Sequence, residues 1–344
     1  MRASGPRQDL IVERAVFIPD LERMPPPGQP YDRLYLGSES CVWRLPSERE
    51  LHAALAVATQ RGLSFSLVTP FLDEPGLTQT LALVRALPGD PAIEVVANDL
   101  GLMESLRASG WNGTLVAGRL LTRQRRGPGF QSCTDVPAAA AAALRGSALD
   151  APAYSELLGK RFGVQRFELD DLVQGLGAPA PTAGVHLSLY RPYLIVTATR
   201  NCPWIFDGRT WDRSQGCGRL CRGQSLRLVS AAAQFAHRPP EIQDDESTLP
   251  GRAGERDTRE LPRCDHGKGE AVAQSGGRQR RTVKERDGGP QREDPAVPDG
   301  YSPFTGHQDR PLLLGGCAQF LEHHGTASPP AGVDRIVWQP RIPA

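Results

Sequence analysis

The chain has 344 residues, 39 % of them hydrophobic, and a formal net charge of +1. The length admits one large domain with additions, or two domains. The near-neutral charge argues against a chain built chiefly to bind polyanions, and no apolar run approaches the roughly 20 residues that a bilayer-spanning helix needs. The opening MRASGPRQDLIVERAVFIPD lacks the sustained apolar centre and small-residue cleavage site of a secretory signal. A cytoplasmic location is therefore expected. There, an odd total of seven cysteines suits metal or cluster binding better than a disulfide framework.

Residues 1–30 carry Pro6, Pro19, Pro25, Pro26, Pro27 and Pro30 and read as a lead-in with one short strand at 15–18. Residues 33–37 (RLYLG) read as a buried strand ending on Gly37, followed by Ser38-Glu39-Ser40-Cys41. Ser47 and Glu50 have capping-box spacing, so a helix is predicted to start there, with Leu51, Leu55 and Val57 in its first turns. The alternation then repeats. Residues 63–69 form a strand candidate stopped by Pro70, and 77–87 a helix with Leu77, Leu81, Val84 and Leu87 on one face. A strand at 93–97 ends in Asn98-Asp99, a helix at 100–108 closes at Gly110, and a strand at 114–117 runs into Gly118-Arg119. Residues 138–144 and 154–158 read as helices, 164–169 as a strand, and 185–196 as one or two more.

Strand–helix alternation with short connections points to a parallel sheet. The expected fold class is α/β, a TIM-barrel-like parallel barrel, complete or short of a strand, in preference to an open doubly wound sheet. Chemistry in such barrels sits at the C-terminal ends of the strands. Cys41, Thr69, Asn98, Asp99, Gly118 and Cys202 each follow a predicted strand, which makes them candidates for one rim. Glu94, Asn98 and Asp99 are candidates for a polar pocket, although an Asn-Asp pair before a helix is most often an N-cap.

From about His237 the composition changes. Between Arg238 and Gly300 the branched aliphatics are only Ile242, Leu249, Leu261, Val272, Val283 and Val297, and Phe, Trp, Tyr and Met are absent. So few apolar groups do not offset chain entropy of roughly 1–2 kcal/mol per residue. The expected division is a lead-in at 1–30, a barrel-like domain at 31–236, a disordered polar span at 237–310, and a C-terminal segment at 311–344 that packs on the barrel. The span is either an insertion or a stretch read in a shifted frame.

Chemistry concentrates in the stretch YLIVTATRNCPWIFDGRTWDRSQGCGRLCRGQSLRL. Cys202-x14-Cys217-x3-Cys221 lacks the short C-x2-C pairs typical of structural zinc, although zinc sites with wider spacing exist. Iron–sulfur clusters take four thiolates at varied spacings, and three buried apolar thiols are the bland alternative. On spacing alone Cys41, Cys133, Cys264 and Cys317 are all candidates for the fourth. Arg200, Arg219 and Arg222 are candidates to offset a cluster's negative charge or attract an anionic substrate, or are solvated surface arginines. The adjacent pair His323-His324 reads as solvent-facing, and Cys264 and His266 as incidental to the site.

Cys41 after an early strand, VVANDLG at 95–101, TATRNC at 197–202 followed by C-x3-C, and the ending GCAQF…GVDRIVWQP together resemble the collagenase-like peptidase family U32. More narrowly, the chain resembles its iron–sulfur branch, which includes the protein pair for oxygen-independent ubiquinone hydroxylation. The resemblance covers about residues 30–230 and the C-terminal end. It implies a barrel-like fold and a [4Fe–4S] cluster on Cys41, Cys202, Cys217 and Cys221. It also implies a role in hydroxylating a small aromatic or prenylated quinone precursor, with prephenate as oxygen donor in relatives and a related family member as heterodimer partner. An RNA base is the alternative substrate. Two further readings are a non-catalytic partner subunit whose cluster only stabilises structure, and a peptidase or other hydrolase with structural cysteines. The last lacks both H-E-x-x-H and G-x-S-x-G motifs.

Overall fold

Gly, Pro, Asp and Asn punctuate the first half of the chain, and from residue 33 to 122 the segments between them become alternating strands and helices. The computed structural model describes residues 12–90, 92–126, 137–177, 184–199, 202–205, 217–222, 224–228, 312–326 and 328–342. The expected polar span at 237–310, with Cys264 and His266, lies outside the described residues, as do Cys133 and Arg200. The strands are β1 (Glu13–Ile18), β2 (Arg33–Gly37), β3 (Ser64–Val68), β4 (Ile93–Ala97), β5 (Thr114–Ala117), β6 (Arg166–Asp170), β7 (His186–Arg191), β8 (Tyr193–Ala198), β9 (Leu226–Leu228), β10 (Leu312–Gly315), β11 (Ala318–Glu322) and β12 (Val333–Trp338). The helices are α1 (Glu48–Gln60), α2 (Glu74–Arg85), α3 (Leu100–Ala108), α4 (Arg119–Thr122), α5 (Ala138–Arg145) and α6 (Pro152–Glu156). None of the described helices is long and apolar enough to cross a membrane.

Eight strands close a barrel in the order β1-β12-β7-β6-β5-β4-β3-β2. Every neighbouring pair is parallel. The fold is therefore a TIM-barrel-like α/β barrel, and it is complete. Two strands come from segments expected to lie outside it. β1 belongs to the stretch read as a lead-in, and the C-terminal segment does more than pack on the barrel, because its β12 is inserted between β1 and β7. The remaining four strands form an antiparallel sheet in the order β8-β11-β10-β9.

Helix signals in the sequence correspond to real caps. Ser47 and Glu50 make the reciprocal capping box of α1. Asp99 caps α3 through Leu102 N–H at 3.0 Å. The outward faces of the barrel strands (Leu34, Leu36, Phe65, Leu67, Val95, Ala97, Phe167, Leu169) pack with Leu51, Ala54, Leu83, Val84, Leu102 and Leu106 of the helices. This layer is the main apolar core.

The barrel interior is different: beside an apolar and aromatic cluster of Ala15, Phe17, Tyr35, Val68, Val96, Val116, Tyr190 and Val337 it holds charged side chains. Near the N-terminal ends of the strands, Arg335 donates to Glu13 at 2.5 Å and to both oxygens of Glu94 at 2.7 and 3.0 Å. Arg33 donates to Glu13 at 2.7 Å and lies 3.4 Å from Glu94. Two guanidiniums thus balance two carboxylates. A second balanced group closes the C-terminal end. Arg119 makes a two-pronged pair with Glu39 at 2.8 and 2.5 Å and reaches Asp170 at 2.5 Å. Arg126 lies 2.5 Å from the other Asp170 oxygen, in ion-pair contact without hydrogen-bond alignment. Burial alone would lower the affinity of Arg119 for its proton, but Glu39 and Asp170 hold it above the ordinary range. Arg335 is likewise raised against its burial by Tyr35, Glu94 and Glu13.

Between the two groups stands one odd carboxylate. Glu168 is fully buried and accepts from Tyr190 Oη at 2.5 Å, while its Oε1 has no hydrogen-bond partner among the described residues. Burial pushes its carboxyl from 4.5 up to about 8, and nearby Glu39 reinforces the shift. Tyr190 packs edge-on to Phe17 and Tyr35 with centroids 6.1 and 6.3 Å away, and Arg119 lies 4.0 Å over its ring.

Two predictions follow from this interior. Arg119→Met leaves Glu39 buried without its guanidinium and Asp170 with Arg126 alone. It should cost about 3–5 kcal/mol in chemical denaturation, the usual penalty for orphaning a buried charge. Glu168 holds its proton to higher pH in the folded than in the unfolded chain. Between pH 4.5 and about 8 the folded state therefore binds more protons, and its contribution to stability declines as pH rises through that window. Glu168→Gln should flatten this decline, so that denaturation midpoints of variant and parent diverge toward alkaline pH. A parent without pH dependence there would contradict the assignment.

Candidate metal centre

The loop after β2 is shaped by Gly37. Its φ is +131°, and a Cβ there would lie 2.1 Å from the Val68 carbonyl, so only glycine lets the chain turn across the end of β3. The turn delivers Ser38 to Cys41, whose N–H donates to Ser38 Oγ at 3.2 Å. A short helical turn, Val42–Arg44, follows directly.

The C-x14-C-x3-C stretch comes to the same place by another route. β8 does not join the barrel; it pairs with β11 in the small sheet, and its continuation carries Cys202. The expectation that Cys202 follows a barrel strand is thereby corrected. Cys41, Cys202, Cys217 and Cys221 nonetheless line one pocket, with Ser40, Trp43, Phe71, Asp73 and Ile205 in the wall. A fifth thiol lines it too: Cys317, on the turn between β10 and β11. All five cysteines are free thiols. Cys41, Cys202 and Cys317 form one buried cluster in which Cys317 bonds to both of the others, with Trp204 and Ile205 packed against it.

Several groups aim at the sulfurs. The Trp43 backbone N–H bonds Cys41, and the Arg219 N–H donates to Cys217 Sγ at 3.3 Å. Buried Arg44 donates from Nη1 to Cys221 Sγ at 3.7 Å. Hydrogen bonding from Cys317 lowers the Cys41 thiol to about 7 in spite of burial, and Cys317 is raised in return by its bonds to Cys202 and Cys41. Burial raises Cys217. Such donors stabilise thiolate and tune any metal held there.

The donor set is soft, suited to zinc, copper(I) or iron–sulfur clusters rather than to magnesium or calcium. On that chemistry a cluster fits. The pocket itself measures about 30 Å³, and among the described residues no group of three or more Cys, His, Asp or Glu side chains is arranged around one ion position. Binding a cluster requires the thiols to part.

The other candidates have structural roles. Asn98 brackets two loops, donating to the Thr69 carbonyl at 2.9 Å and accepting from Leu120 N–H at 3.0 Å; a Cβ on Gly118 would collide with it at 2.3 Å. Thr69 Oγ1 donates to the Val96 carbonyl, Asp99 caps α3, and Glu94 belongs to the barrel interior. Arg222 pairs with Glu22 at 2.9 Å and Arg219 lies 3.9 Å from Glu50, around a neighbouring cavity of about 160 Å³. His324 pairs with Glu322 at 2.9 Å. Arg44 and Cys317 carry more of the site than the sequence suggested. For Arg44 the sequence offers only its place three residues after Cys41.

No protein-family model, curated protein or solved structure matches the chain.

A thiophilic ion tests the pocket directly. Cys41→Ala, Cys202→Ala and Cys221→Ala should each weaken cadmium uptake, read by thiolate-to-metal absorbance, at least tenfold (about 1.4 kcal/mol or more). Cys133→Ala should leave it unchanged.

Proposed function

We propose that this barrel carries a [4Fe–4S] cluster on thiolates of the cysteine pocket, and that it acts in or assists an oxygen-independent hydroxylation of the U32-like, ubiquinone-biosynthesis type. The observation that carries the reading is convergence. Cys41, Cys202, Cys217 and Cys221, which lie in two distant stretches of sequence, line one pocket by the end of β2, where barrels of this class place their chemistry. The substrate class is a small aromatic or prenylated quinone precursor, and the partner a related family member, both on the strength of the resemblance alone. RNA-base hydroxylation is the alternative. A hydrolase has less support, since no histidine lines the pocket among the described residues.

When bound, the cluster would supply single-electron transfer. The chain's own residues hold its surroundings. Arg44 and the Trp43 and Arg219 N–H groups donate to sulfur and would offset the negative charge of a bound cluster. Trp204, anchored through Nε1 to the Gly316 carbonyl at 3.0 Å, packs with Ile205 against the thiols. A second reading, one zinc ion on four thiolates, is favoured by the small pocket volume of about 30 Å³.

Anaerobic reconstitution with ferrous iron and sulfide separates the two. The expected product has broad visible absorbance with iron and acid-labile sulfide in equal amounts. Arg44→Leu should keep the iron but lower the reduction potential by tens of millivolts, because one donor to sulfur is lost. Zinc uptake without iron or sulfide would favour the second reading.

A further inference from the structure

Five thiols line a pocket whose proposed occupant takes four, and the fifth is not the one that the spacing of the sequence suggests. Cys217 is the least buried of them, and its described sulfur contact is the 3.3 Å bond from Arg219 N–H. Cys317 is only 3 % exposed and touches both Cys41 and Cys202. It is also rigidly placed. Its carbonyl accepts from Thr199 N–H at 2.9 Å, the preceding Gly316 carbonyl accepts from Trp204 Nε1 at 3.0 Å, and Gly316 takes φ +56° to make the turn. The hairpin of β10 and β11 is thus fastened on both sides of Cys317 to the segment that carries Cys202.

We propose that Cys317 is a ligand-competent fifth thiol of the metal centre, able to hold the position of Cys217 when that residue is lost. The inference rests on the metal reading of the pocket. A cluster needs four thiolates and accepts them from varied positions in a chain. Cys41, Cys202, Cys221 and Cys317 are each more than nine-tenths buried and supply four without Cys217. The C-terminal hairpin then shares in the centre as well as in the small sheet.

The test compares the unaltered chain, Cys217→Ser, Cys317→Ser and the double variant after anaerobic reconstitution. Iron and sulfide content and the reduced-state electron paramagnetic resonance spectrum are the readouts, and far-UV circular dichroism checks that the barrel is retained. Cys217→Ser should keep most of its iron with an altered spectrum, and the double variant should lose nearly all of it. Loss in Cys317→Ser with retention in Cys217→Ser also supports the proposal, making Cys317 the resident ligand. If Cys217→Ser is already as empty as the double variant while the unaltered chain fills, the proposal is overturned and the metal reading stands. If the unaltered chain takes up neither iron with sulfide nor zinc, the metal reading falls and this proposal with it.

Discussion

Charge balance inside a closed barrel is the constraint on which this structure turns. Inward side chains have no solvent to face, and each buried ion costs several kcal/mol unless it is paired. Arg33 and Arg335 answer Glu13 and Glu94 at one end; Arg119 and Arg126 answer Glu39 and Asp170 at the other. Glu168 is left without an opposite charge in direct contact and holds its proton instead. Because Arg335 lies on β12, the strand that closes the ring also neutralises carboxylates on β1 and β4. Closure and neutralisation are one event.

The same ring sets up the cysteine pocket. Arg119 ties Glu39, two residues before Cys41, to the carbonyl of Tyr193 at the start of β8. The loop bearing Cys41 and the strand leading to Cys202 are therefore referenced to a single buried guanidinium. The sulfurs inherit their relative placement from an ion pair that touches none of them.

Much of the barrel was legible because local chemistry and final structure agree. RLYLG, IEVVA and TLVA are short apolar runs ended by Gly or Asn, and the strands β2, β4 and β5 coincide with them. β8 was harder. YLIVTA reads like its predecessors, but its partner β11 lies more than a hundred residues onward, and nothing local distinguishes an antiparallel partner from a barrel neighbour. The inward Glu94, Glu168 and Arg335 were visible as charges in apolar runs, yet a pairing such as Arg335 with Glu94 spans 241 positions and leaves no local trace. The cysteines were legible as a group through spacing and resemblance. Cys317 stood level with Cys133 and Cys264 on spacing, and its contact with Cys41 and Cys202 depends on a hairpin whose anchor points, Thr199 and Trp204, carry no metal signature.

Leu228 and Leu312 stand opposite each other in the small sheet, where β9 meets β10. The chain therefore leaves this sheet and re-enters it at one point, whatever its course in between. For a loop whose ends already coincide, closure entropy grows only with the logarithm of its length. The barrel, its closing strand β12 and the turn bearing Cys317 are consequently little affected by how much sequence is spliced in at this joint. It is a place where evolution, or an engineer, can lengthen, shorten or replace the polypeptide and still have β12 arrive in register.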